Sequence, residues 1–97
     1  MSNGPVRESK YVACICGKVC KGRAGRATHG RKCPVDRVRS ALYVYCASND
    51  LPHVSDSTLM LNLLPIARAL VEQATPNSSW GGMVNGCVLL ALESGKY

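Results

Sequence analysis

Between positions 14 and 33 the chain places Cys14, Cys16, Cys20, His29 and Cys33, and this crowding of soft ligands constrains the first third more than any hydrophobic pattern does. Twelve residues separate Cys16 from His29, and three separate His29 from Cys33. Residues at i and i+4 of a helix lie on one face, so His29 and Cys33 are spaced to present two ligand atoms together. At the other end, Cys16-Gly17 has the character of a metal knuckle, because glycine lets backbone amides approach a thiolate. A tetrahedral zinc ion takes two ligands from a tight turn and two from elsewhere on a short loop. The spacing therefore predicts a Zn²⁺-binding unit over residues 10–33. Two first pairs are open: Cys14 with Cys16, or Cys16 with Cys20.

Clustered cysteines read as metal ligands in a reducing compartment and as disulfides in an oxidising one. The stretch Met1 to Lys10 is polar and lacks the apolar core of an export signal, so a cytoplasmic location is expected. The longest apolar run, Leu59 to Val71, is broken by Asn62, Pro65 and Arg68. It falls short of the ~20 residues a membrane-spanning helix needs. No membrane role is expected.

Charge divides the chain in the same place as the cysteines. Residues 1–33 carry eight bases and one acid, whereas residues 34–97 carry four bases and five acids. The net charge of +6 thus comes wholly from the first third. That asymmetry predicts a basic contact region on a near-neutral body. Residues 1–9 read as a flexible arm, 10–33 as the metal-binding unit and 34–97 as a helical body, all in one domain of 97 residues.

From Pro34 onward the pattern is helical. Proline suits the first turn of a helix, and Val35, Val38, Leu42, Tyr45 and Cys46 recur at helical spacing to about Ala47. Ser55 or Ser57 can cap a second helix with Leu59, Leu63, Ile66, Leu70 and Val71, which Pro65 must kink or restart. A third stripe runs through Trp80, Met83, Val84, Cys87, Val88, Ala91 and Leu92. The predicted fold is mainly α, with a short zinc-binding unit packed on a bundle of about three helices. With no Phe in the chain, the core should be aliphatic, anchored by Trp80, with Cys46 and Cys87 as core thiols. His53 should be a loop residue. The Leu59–Val71 stretch is apolar on more than one face, which makes a homodimer through the body an expectation.

The segment Cys14-Ile15-Cys16-Gly17-Lys18-Val19-Cys20-Lys21-Gly22-Arg23-Ala24-Gly25, continued by His29-Gly30-Arg31-Lys32-Cys33, resembles a Cys-Cys-His-Cys zinc finger. It is similar to short fingers in small proteins of phages infecting actinobacteria. The resemblance covers about residues 12–34. It implies Cys14, Cys16, His29 and Cys33 as metal ligands, with Cys20 as the alternative to Cys14. Cys20 otherwise stands where such fingers bury a Phe. One residue rather than two lies between Cys14 and Cys16. Arg26 stands where the finger helix buries Leu, and a guanidinium does not fit a small dry core. A self-contained ββα mini-core is therefore not expected, and the unit should rest on the helical body.

The finger geometry also implies base-reading positions at Gly22, Gly25 and Thr28. Glycine cannot reach a base edge, so bidentate readout is absent there. Around them stand Lys18, Lys21, Arg23, Arg26, Arg31 and Lys32, which suit phosphate contacts that position a protein without specifying sequence. The expected function is binding of nucleic acid, DNA ahead of RNA, in an accessory or regulatory role. The alternative is an adaptor whose basic face meets an acidic protein surface. No acid lies between Glu8 and Asp36 to serve a catalytic metal as general base, so no enzymatic activity is expected.

Overall fold

The structure, a computed structural model, describes residues 10–95; the arm expected over residues 1–9 lies outside them. The described chain begins with two strands, β1 (Tyr11–Ala13) and β2 (Val19–Lys21), and continues with α1 (Gly22–Lys32) and α2 (Pro34–Ser48). It ends with α3 (Asp56–Leu61), α4 (Leu63–Gln73), α5 (Ser79–Met83) and α6 (Gly86–Ser94). The architecture is mainly helical, as the sequence predicts.

β1 and β2 pair antiparallel, with Tyr11 opposite Lys21, Val12 opposite Cys20 and Ala13 opposite Val19. Side chains alternate across a strand, so Cys20 is buried while Val19 and Lys21 face outward. The connecting turn closes by Cys14 N–H donating to the Lys18 carbonyl at 2.8 Å and Gly17 N–H donating to the Cys14 carbonyl at 2.9 Å. Gly17 takes φ +97° there, a conformation that a side chain would strain.

The core belongs to the body. Its buried cluster includes Val35, Val38 and Ala41 of α2, Leu59 of α3, Leu63, Ala67 and Leu70 of α4, Trp80 of α5, and Val88 and Leu92 of α6. Helix α2 is the hub, packing against α1, α4, α5 and α6. Full burial of Val35, Val38 and Leu59 stabilises by roughly 1.5–3 kcal/mol each. The Trp80 ring meets Tyr45 edge-on at 5.0 Å, and the Tyr45 hydroxyl donates to Gln73 Oε1. Arg37 donates to the carbonyls of Met83 and Gly82 at 3.0 and 3.1 Å, satisfying acceptors that the short α5 leaves open at its C-terminus.

The body holds five helical segments among the described residues, not about three. Ser55 caps α3, its side chain accepting from Thr58 N–H at 3.3 Å, and the expected restart falls at Asn62. Pro65 becomes the third residue of α4, where its missing N–H has no intrahelical partner to lose. The last stripe also splits: Val84 is extended, and Asn85 caps α6 by accepting from Val88 N–H at 3.1 Å. The split turns Cys87 outward, so it is exposed rather than a core thiol, whereas Cys46 is buried as expected. Leu61 and Leu90 remain 84% and 68% exposed. None of the described helices is long and apolar enough to cross a membrane.

Candidate metal centre

Three pieces of the fold deliver the ligand atoms. The hairpin turn carries Cys14 and Cys16, α1 carries His29, and Cys33 is the single residue joining α1 to α2. Cys33 N–H donates to the His29 carbonyl at 2.8 Å, and the Cys33 carbonyl accepts from Arg37 N–H at 3.0 Å. It therefore ends one helix and starts the next, and the i, i+4 relation to His29 survives across the junction. Pro34 follows as the first residue of α2, which ends the helical path of α1 at that point.

One ligand atom each from Cys14, Cys16, His29 and Cys33 lies within 4.8 Å of the others. Cys14 Sγ is 3.8 Å from Cys33 Sγ, and Cys16 Sγ is 3.4 Å from His29 Nε2. A tetrahedron with Zn–S bonds of about 2.3 Å and a Zn–N bond of about 2.0–2.1 Å has edges of roughly 3.8 and 3.6 Å. The two observed separations match those edges, so the four side chains already frame a space of metal size. Cys20, the alternative ligand, stays outside this group. It is buried and lies beneath Gly25 of α1, where an added Cβ would come 3.9 Å from its own. The hairpin register accounts for this placement: Cys20 sits within β2 opposite Val12, while Cys14 lies past the end of β1, in the turn.

Burial and hydrogen bonding move two of these thiols in opposite directions. Burial pushes the Cys33 thiol up to about 12, against the opposing pull of the Asp36 backbone N–H. Burial also works against ionising Cys16, but the backbone N–H of Lys18 and the thiols of Cys14 and Cys33 outweigh it and lower that thiol. Three thiolates at this separation would repel one another, and a bound divalent ion would take the place of the protons that otherwise neutralise them.

The hairpin and α1 do follow one another in ββα order, yet α1 buries none of its residues. Cys14 and Cys33 instead join the apolar cluster of the body, so the unit rests on α2 as expected. Arg26 explains how a guanidinium is accommodated. It turns to Asp36 of α2 in a 2.7 Å ion pair, which raises the Arg26 pKa through that hydrogen bond. The pair passes over Gly30, where a Cβ would come within 2.8 Å of the guanidinium and 2.9 Å of the carboxylate. Sequence reasoning missed both Asp36 and Gly30, because their connection to Arg26 crosses the break between helices and has no local spacing signal.

Of the basic residues expected to contact phosphate, Lys18, Lys21, Arg23, Arg31 and Lys32 are exposed, while Arg26 is partly buried in its ion pair. At the implied base-reading positions Gly22 and Gly25 are bare, and the Thr28 hydroxyl donates to the Ala24 carbonyl at 3.0 Å. Comparison with protein-family models, curated proteins and solved structures finds no match.

Proposed function

We propose that Cys14, Cys16, His29 and Cys33 hold a structural Zn²⁺ and that the basic face beside it binds nucleic acid through phosphate contacts, in an accessory or regulatory role. The supporting observation is a groove of about 570 Å³ between β2 and α1, lined by Lys18, Lys21, Lys32, Thr28 and His29, with no acid among its lining residues. Three ammonium groups on one groove form a site for a polyanion, and lysine binds phosphate as a point charge without reading sequence. Four protein ligands complete a tetrahedron and leave no position for reactive water. The metal therefore acts as a staple, and no catalysis is proposed. DNA is the partner proposed first. The likeness of residues 12–34 to phage-encoded fingers, and with it a host cytoplasm as the setting, belongs to this same proposal.

The test is fluorescence anisotropy of the zinc-loaded protein with a random-sequence duplex across a salt series, with native mass spectrometry counting the metal. Replacing Lys18, Lys21 and Lys32 together with Ala should weaken binding alike on every sequence. It should also reduce the slope of log K against log salt by about three. A strongly sequence-dependent loss would contradict phosphate contacts.

A second reading is an adaptor whose structural finger sets its basic face on an acidic protein surface, and the expected dimer through the body has its own observation. An apolar groove at Met60, Leu61, Leu63, Leu64, Pro65 and Leu92 lies open on the body, and Leu61 protrudes at its rim. A protein that ignores polynucleotides at low salt but runs as a dimer, or pulls down one protein, would establish that reading instead.

A further inference from the structure

We infer that the cleft between α2 and the α2–α3 loop is a stacking site for an unpaired nucleobase, so that the polynucleotide bound by this chain is single-stranded where it crosses the body. This rests on the phosphate-binding reading above and narrows its substrate class. The cleft holds about 390 Å³ and is lined by Arg39, Ser40, Tyr43, Val44 and His53. That volume lies in the range of small-ligand sites, ~300–1,000 Å³.

Tyr43 is 63% exposed. His53 meets it at 5.6 Å between centroids with an interplanar angle of 71°, an edge-to-face contact that leaves ring surface open for a third aromatic group. The opposing wall is anchored at both ends. Leu51 N–H donates to the Cys46 carbonyl at 2.9 Å where the loop leaves α2, and Arg39 Nε donates to Asp56 Oδ1 at 3.1 Å where it enters α3. The cleft exists on the folded chain, so a flat ring enters it without opening a new cavity.

The remaining lining groups suit a base. Val44 offers apolar floor, while the Ser40 hydroxyl and the His53 ring can each donate and accept hydrogen bonds. They can therefore meet any base edge without selecting one. The Arg39–Asp56 pair balances its own charge, so the cleft adds no phosphate attraction of its own. Phosphate attraction comes from the neighbouring unit, and α2 provides the path. Asp36, Ser40 and Tyr43 fall on one stripe of that helix, and Asp36 is the residue that holds Arg26 of α1. Tyr43 lies about 10 Å along the helix axis from that contact. On this inference, a strand held by the lysine groove continues past the α1–α2 contact and along α2 to the cleft. Paired bases keep both faces covered and cannot enter, whereas an unpaired base can.

The experiment uses the zinc-loaded full chain and two labelled oligonucleotides of equal length, one a thymidine strand and the other its abasic counterpart with the same phosphates. The thymidine strand should bind roughly tenfold tighter or more, and Tyr43→Leu should bring its affinity down to that of the abasic strand. Equal binding of the two strands by the unaltered protein would overturn the stacking site while leaving phosphate binding intact. A Tyr43→Leu variant that keeps the full preference for the base-bearing strand would overturn it as well. Binding of neither strand, nor of a duplex, would overturn the phosphate reading and this inference together.

Discussion

The hairpin–α1 unit and the body built on α2 reach order by opposite means. Helix α1 is eleven residues long and buries none of them, while the fifteen-residue α2 buries Pro34, Val35, Val38, Ala41 and Cys46. The body excludes water from aliphatic side chains, whereas the unit converges four ligand atoms and fastens one ion pair to its neighbour. A segment with so few apolar residues cannot offset its own chain entropy by burial. On the proposed function, metal coordination by Cys14, Cys16, His29 and Cys33 would offset it, leaving the outer surface free to carry lysine and arginine.

The largest effect that would break this contrast is metal removal. Chelation of the zinc-loaded protein should erase amide protection across residues 11–32 while α2 to α6 keep theirs, since structural zinc contributes on the order of 10–16 kcal/mol to units of this kind. Hydrogen exchange read by mass spectrometry separates the regions. Cys33→Ser should abolish the bound ion, and Cys20→Ser should retain it. Protection that persists in the hairpin after chelation would end the argument that the metal stands in for a core.

Trp80→Ala probes the other side. Loss of a buried ring from the body should cost about 3–5 kcal/mol, seen as a lower denaturant midpoint. Metal stoichiometry by native mass spectrometry should stay at one. Loss of the ion in this variant would show that the two regions stand or fall together.

The contact between the regions gives the smallest and sharpest test. Gly→Ala inside a helix ordinarily stabilises by about 1 kcal/mol. Gly30→Ala should forfeit most of that gain, because the new Cβ meets the tips of Arg26 and Asp36 at under 3.0 Å and the pair must shift. A full gain of about 1 kcal/mol would instead raise the melting temperature by roughly 4–8 °C. In an Asp36→Asn background the penalty should shrink; an unchanged penalty would place the strain elsewhere.

Much of this was legible without coordinates. The helix from Pro34, the restart forced by Pro65, the cap at Ser55 and the burial of Trp80 all follow from local rules of spacing, capping and breaker residues. The second break, at Val84 and Asn85, was less legible. Its apolar stripe continues at helical spacing through the break, and only the asparagine hints at a new start. Cys87 was misplaced for that reason, since a change of helix phase moves a residue from the core face to solvent.

The candidate centre divides along the same line. His29 and Cys33 are paired by helix periodicity, a property of the sequence alone, and Cys16-Gly17 is marked by the backbone freedom of glycine. Choosing between Cys14 and Cys20 required the hairpin register, because a shift of one residue exchanges the faces of a strand. The ion pair of Arg26 with Asp36, the clearance at Gly30 and the meeting of Tyr43 with His53 join residues from separate elements. Sequence by itself determined the helix from Pro34, the restart near Pro65 and which residues can bind a metal, because those depend on neighbours within one or two turns. Tertiary structure alone decided which cysteine joins the centre, where Arg26 goes and which aromatic ring lies open, because those depend on how separate elements come together in space.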